Sequence, residues 1–126
     1  MVQTDISQLC AETADWRQIL RNYRDEFSES KKLLQDSCRQ ELSKDQLQEV
    51  EHLHNQLHIQ LINIHDVKQK IKTHERKIEF ERAKGDQISE EIFSEHERLL
   101  DEFLTLENTL QELRIEFKNF ISGISC

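Results

Sequence analysis

The sequence predicts an all-α fold in which three long helices pack as an antiparallel up-down-up coiled-coil bundle. Proline is absent, glycine occurs only twice, and 33% of the residues are charged against 36% that are hydrophobic. A β-rich fold needs turn residues about every 8–12 positions, whereas a charged chain rich in Glu, Lys and Leu is typical of long helices. The apolar residues also recur in alternating steps of three and four, which places them along one face of a helix.

The first segment carries an almost unbroken apolar stripe and predicts a helix near residues 4–41. The members of the stripe, at the a and d positions of a heptad pattern, are Ile6, Leu9, Thr13, Trp16, Leu20, Tyr23, Phe27, Ser30, Leu34 and then Ser37 or Cys38. Cys10 and Cys38 lie on or beside this stripe, and we expect them to pack as small apolar side chains.

Ser43 and Gln46 form the pattern of a capping box, so a second helix is predicted near residues 44–84. Its a positions are Val50, Leu57, Ile64, Ile71 and Ile78, and its d positions are Leu53, Gln60, Val67 and His74. Gly85 predicts the C-terminal end of this helix, and the following Asp86 predicts the N-cap of the next one.

The third helix is predicted near residues 87–122 and has the most regular stripe: Ile92, His96, Leu99, Phe103, Leu106, Leu110, Leu113, Phe117, Phe120 and Ile124. From the three stripes we expect a structural core that includes Trp16, Leu20, Phe27, Ile64, Ile71, Phe103, Leu110 and Phe117. Flanking apolar residues widen the stripes, namely Ile19, Leu33, Leu47, Leu61, Phe93, Leu100 and Ile121. The seam is thin for an isolated monomer, so we expect self-association or a partner helix to complete it.

The charge pattern predicts that the second and third helices form a hairpin. Residues 68–84 contain seven Lys and Arg against three glutamates, whereas residues 86–102 contain seven Asp and Glu against Arg98 alone. A chain that folds back at Gly85 sets these oppositely charged stretches side by side. The alternative is that both are ordinary solvated helix faces.

Histidines are frequent in the second helix, but they predict no metal site, no cofactor and no catalytic residue. His54 and His58 are four residues apart, and Glu49 and His52 match the Glu-x-x-His pattern of di-iron bundles. Such sites need the motif on two helices, and neither other helix carries it, so we interpret these histidines as surface residues. The sequence offers no arrangement of a nucleophile with its base, so the protein is expected not to be an enzyme.

His74 and His96 differ from the other histidines because they occupy d and a positions on either side of Gly85. A polar residue at such a position costs stability and fixes the register of the helices. If the two imidazoles are buried near each other, they confer mild sensitivity to acid. The alternative is a pair of satisfied or end-exposed histidines.

Five apolar residues outside the stripes are candidate partner contacts: Ile59, Ile62, Phe80, Leu104 and Ile115. Ile59 and Ile62 are three residues apart on one helix, so they are the pair best placed to form a second contact face. Single exposed apolar residues are common on any protein surface, which is the alternative interpretation.

These observations together predict one domain of 126 residues that works as a coiled-coil scaffold or adaptor inside the cell, in a cytoskeletal, centrosomal or chromosome-associated complex. The alternative is a three-helix regulatory or tethering module of membrane trafficking that binds helical peptides. A net charge of −8 argues against a nucleic-acid partner, and no apolar run approaches the roughly 18 residues of a transmembrane span. The N-terminus lacks the pattern of a secretory signal, and three widely spread cysteines favour a reducing compartment, cytoplasmic or alternatively nuclear.

Overall fold

A computed structural model describes residues 6–37, 41–85 and 88–124. These residues form three helices, α1 (Ile6–Ser37), α2 (Lys44–Lys84) and α3 (Glu90–Ile124), and each helix contacts the other two. The predicted all-α three-helix bundle is therefore confirmed. None of the described helices has both the length and the apolar character that a membrane crossing requires.

The ends of α2 follow the chemistry that the sequence predicted. The Ser43 hydroxyl accepts a hydrogen bond from the backbone N–H of Gln46 at 3.1 Å, and the Gln46 side-chain oxygen accepts one from the backbone N–H of Ser43 at 2.8 Å. This reciprocal pair is a capping box. At the other end, Gly85 has φ of 150° and its N–H donates to the carbonyl of Arg82. A side chain at Gly85 would strain this conformation, so glycine ends the helix.

The other helix ends are tested only in part. The described part of the first helix runs to Ser37, residues 38–40 beside its predicted end lie outside the described residues, and residues 41–43 are not helical. The third begins at Glu90 and not near residue 87, because the Ser89 hydroxyl accepts a hydrogen bond from the backbone N–H of Ile92 at 3.2 Å, as an N-cap does. The predicted cap Asp86 lies outside the described residues, as does Cys38.

The hairpin of α2 and α3 is antiparallel and places the predicted charged stretches side by side. The ammonium of Lys70 lies 3.0 Å from the carboxylate of Glu102, and the ammonium of Lys77 lies 3.1 Å from that of Glu95. Residue numbers rise along one helix as they fall along the other. The two ion pairs therefore fix both the direction and the register of the hairpin.

Contacts between α1 and α3 show that these helices run parallel. His96 lies 2.6 Å from Glu12 near the start of both helices, and Arg114 lies 2.7 Å from Glu26 further along both. Because α3 is antiparallel to α2, the bundle has the predicted up-down-up arrangement.

The interior is divided into two apolar clusters. The main cluster contains all eight residues expected in the structural core, and each of them is buried. The end cluster is smaller and consists of Ile6, Leu9, Ile78 and Ile92, with Cys10 and Ile88 packed against it. Val67, Phe120 and Ile124 of the predicted stripes are only half-buried.

The apolar flanks of the stripes are buried only in part. Ile19, Leu61, Leu100 and Ile121 pack against the main cluster. Leu33, Leu47 and Phe93 remain exposed over 51%, 47% and 39% of their surface. These three therefore widen the buried seam little, contrary to the prediction.

Candidate functional site

A layer of polar side chains crosses the core between the end cluster and the main cluster. Its centre is the pair of His74 on α2 and His96 on α3, which are 0% and 4% exposed. The Nε2 atom of His74 lies 2.9 Å from the Nδ1 atom of His96, which is hydrogen-bond distance. The two histidines therefore meet in the interior, as their heptad positions made possible.

Glu12 on α1 extends this contact to the third helix. Its Oε2 atom lies 2.6 Å from Nε2 of His96. A carboxylate only accepts, so the Nε2 atom of His96 carries a hydrogen and donates it. In a neutral His96 the Nδ1 atom is then the acceptor, and the Nε2–H group of His74 is the donor to it. The result is a hydrogen-bonded chain from α1 through α3 to α2, which we call the Glu12–His96–His74 ladder.

The ladder leaves one buried nitrogen without a partner. The Nδ1 atom of His74 has no hydrogen bond within the described residues, and the nearest carboxylate oxygen, on Glu95, is 3.9 Å away. Glu95 is itself paired with Lys77 at 3.1 Å. Burial is the largest cause that lowers the pKa of His74 below its usual value, and the neighbouring His96 adds to the effect. Nδ1 is therefore the open acceptor of the ladder, in surroundings that disfavour its protonation.

Side chains of α1 enclose the ladder. The Trp16 ring lies 4.7 Å from the His96 ring and stacks on Phe103 at 5.8 Å, so it covers one side of the histidine pair and joins it to the main cluster. The Thr13 hydroxyl, buried in the same layer, donates to Glu75 at 3.3 Å. The ladder is thus held by all three helices, and its two imidazoles are shielded from water, whereas the Glu12 side chain is 37% exposed.

Sequence reasoning found two members of this layer and missed the third. The heptad pattern singled out His74 and His96 because both interrupt an apolar stripe. Glu12 carries no such signal, since it is one glutamate among many on a charged helix and lies 84 residues from its partner His96. Only the parallel packing of α1 against α3 brings it to the histidine pair.

The five candidate partner contacts are all exposed on the outside of the bundle. The exposed fractions are 44% for Ile59, 49% for Ile62, 64% for Phe80, 50% for Leu104 and 60% for Ile115. Phe80 is partly covered within the chain, because the Lys84 ammonium lies 4.3 Å above its ring. Ile59 and Ile62 project from neighbouring positions of α2 and form the only pair among the five that lies within one helical turn.

A group of acidic and histidine side chains on the surface joins α2 to α3. Glu49, His52 and Glu116 each place one ligand-type atom within 4.8 Å of the others, and the Nε2 atom of His52 lies 3.2 Å from a Glu116 oxygen. The sequence showed Glu49 and His52 but not the contribution of Glu116. Exposed acidic groups often gather without an ion, and the contact is also a simple surface ion pair when His52 is protonated. The geometry alone assigns no metal here.

Comparison of the chain with protein-family models, with characterised proteins and with solved structures gives no match. The functional argument therefore depends on the chemistry and geometry of these three features.

Proposed function

We propose that this chain is a non-enzymatic scaffold or adaptor that holds other proteins against its helices and assembles with them or with copies of itself. The single observation that carries the proposal is the pair Ile59 and Ile62 on the outer face of α2. Each keeps nearly half of its surface exposed, although the heptad pattern of α2 places its other isoleucines in the core. Exposing the apolar surface of two neighbouring isoleucines to water is unfavourable, so a helix that covers them would be stabilised by burying that surface.

Helix packing supports the same proposal. The core uses narrow a and d stripes, and the apolar flanks near the helix ends stay exposed at Leu33, Leu47 and Phe93. A further helix can pack against these exposed apolar residues, as helices pack against each other in coiled coils. We therefore propose an oligomer or a complex with a partner helix. We place this role in a cytoskeletal, centrosomal or chromosome-associated assembly inside the cell.

The experiment compares the parent protein with the double variant Ile59→Asp and Ile62→Asp. Sedimentation equilibrium at micromolar concentration measures the assembled mass, and circular dichroism measures the helix content. We expect the parent to be an oligomer and the double variant to have a lower mass at the same helicity, because two carboxylates cannot be buried at a helix contact.

The matched control is Asn55→Asp with His58→Asp, which has the same spacing on the same helix and starts from exposed polar residues. The control should keep the parent's mass. If the isoleucine variant and the control both keep it, or if the isoleucine variant unfolds, the proposal is wrong.

The second candidate is a regulatory or tethering module of membrane trafficking that binds helical peptides. It is favoured by an open groove of about 520 Å³ between α2 and α3, in which Val67 and Leu106 are the apolar lining residues among polar and charged side chains such as Asp101. Amphipathic peptide helices bind in grooves through apolar anchors, and Val67 and Leu106 are the two positions where such anchors could pack. A parent protein that sediments as a monomer would favour this candidate over the scaffold.

A further inference from the structure

We propose that the Glu12–His96–His74 ladder is a proton-operated latch: uptake of protons by the histidine pair opens the end of the bundle that holds the end cluster, while the main cluster stays folded. The opened end comprises the start of α1, the last turns of α2 and the start of α3. The proposal concerns a conformational change and does not depend on the proposed function.

The number of protons that the closed latch can hold follows from the contact between the two rings. Two neutral imidazoles carry two protons on four ring nitrogens, and the hydrogen bond of 2.9 Å needs one bare nitrogen between them. One added proton leaves such a nitrogen. A second added proton makes both facing nitrogens donors, and two N–H groups repel each other at this distance. The closed state therefore holds at most one positive charge on the pair.

The charged groups around the pair come from all three helices. From α1, Glu12 contacts His96 at 2.6 Å, and Arg17 faces the layer but is paired with Glu75 of α2 at 2.9 Å. From α3, Glu95 lies 3.9 Å from the open Nδ1 atom of His74, and it is already paired with Lys77 of α2. Glu75 and Glu95 are therefore paired with cations and compensate a charge on His74 only weakly. Glu12 contacts only His96, so it favours the first proton on His96 and leaves the second proton, on His74, uncompensated.

The direction of the pH effect follows from the proton count. In an opened end both imidazoles are solvated, and the pKa of a solvated imidazole is about 6.5. In the closed end His74 binds its proton less readily, because burial and the neighbouring His96 lower its pKa. The open state thus binds more protons, so opening is suppressed above about pH 6.5 and increases as the pH falls below that value.

The end cluster is the part of the core that opens when the ladder is lost. Its four buried residues, Ile6, Leu9, Ile78 and Ile92, form their own cluster, because the polar layer interrupts the apolar contact with the main cluster. Segments with few buried apolar residues open more easily than the rest of a fold. Loss of the ladder therefore releases this end before it affects the main cluster.

The change in the opening equilibrium with pH can be estimated from the number of protons that opening takes up. If the open end binds one more proton than the closed end with a pKa of about 6.5, the opening equilibrium rises about tenfold between pH 7.5 and pH 5.5. Most carboxylates stay ionised over this range, so general acid unfolding does not contribute strongly.

Hydrogen exchange of the backbone amides tests the proposal, with protection corrected for the intrinsic pH dependence of exchange. At pH 5.5 we expect about tenfold lower protection than at pH 7.5 for the amides of residues 10–13, 75–83 and 94–98. The amides around Leu57 and Leu110 should keep their protection. Equal losses in both regions, or no loss in either, would overturn the latch.

A pair of matched variants assigns the effect to the ladder. His74→Leu with His96→Leu replaces the pair by residues that suit a and d positions, and it should abolish the pH-dependent loss of protection. His58→Leu with His65→Leu removes two exposed histidines of α2 and should leave that loss intact. A pH-dependent loss that persists without the ladder histidines would also overturn the proposal.

Discussion

His74 and His96 illustrate what a single polar residue does in a helical seam. An apolar pair of similar size at these positions would often be as stable or more stable, because burying a polar network costs desolvation. The ladder, however, requires three helices to meet at one level, since His74 must reach His96 and His96 must reach Glu12. A slide of one helix by a heptad would leave buried nitrogens without partners. We infer that the ladder fixes the alignment of the helices at a cost in stability.

Arg114 provides a second contact between α1 and α3, in the half of the bundle away from the ladder. Its guanidinium donates two hydrogen bonds to Glu26, at 2.7 and 2.8 Å, and lies 4.6 Å from the centre of the Tyr23 ring. We predict that Arg114→Lys lowers the free energy of unfolding by up to about 1 kcal/mol, because lysine keeps the charge but loses the paired, planar geometry. The pair is partly exposed, which limits the effect.

Urea unfolding measures this difference. Arg98→Lys, an exposed arginine on the same helix, is the matched control and should change the free energy of unfolding by less than about 0.5 kcal/mol. If the two variants have the same stability, the contact of Arg114 with Glu26 and Tyr23 contributes nothing measurable.

At the scale of the helices, two nearby lysines of α2 face charges of opposite sign. Lys70 pairs with Glu102 of α3 at 3.0 Å. Lys68 faces α1, where burial, followed by Arg24 and Arg21, lowers its pKa. Reversing the charge should therefore reduce stability at Lys70 but not at Lys68. We predict that Lys70→Glu destabilises the hairpin by about 0.2–1 kcal/mol at low salt, whereas Lys68→Glu is neutral or stabilising.

Salt dependence is the check on that prediction. Melting temperatures in about 0.01 M and 1 M salt should differ between the two variants at low salt and converge at high salt, because ions screen exposed charges. If Lys70→Glu melts like the parent at low salt, the ion pairs do not contribute to the α2–α3 contact.

The helices themselves were largely predictable from local patterns. Leu110 and Ile64 recur at heptad spacing, and the Ser43 capping box is readable from four residues, so burial and the start of α2 followed from the sequence. The start of α3 did not, because Asp86 and Ser89 both have the chemistry of an N-cap. Only the structure shows that Ser89 accepts the bond from Ile92.

The site was predictable only where it interrupts a pattern. His74 and His96 break apolar stripes and could be recognised, whereas Glu12, Glu95 and Glu116 resemble every other surface glutamate. Their roles depend on which helix faces meet, and that is decided by the packing of the whole chain. Ile59 and Ile62 could be placed outside the seam from spacing alone, but their use as a contact face stays a proposal.

At the scale of the whole molecule, the described residues form a seam shared by three helices, and the ladder interrupts that seam between the end cluster and the main cluster. The seam explains which residues are enclosed, and the up-down-up arrangement explains which charges meet. The claim that underlies both is that the heptad register separates the interior from the outer surface.

Urea unfolding of two variants tests that register most directly. Leu110 is 0% exposed, so Leu110→Asp buries an unpaired carboxylate and should lower the free energy of unfolding by roughly 4 kcal/mol or more. Ile59→Asp with Ile62→Asp changes two outward residues and should cost no more than about 0.5 kcal/mol for each. A Leu110→Asp variant as stable as the parent, or an isoleucine variant that unfolds, would contradict the register and with it the arrangement of the bundle.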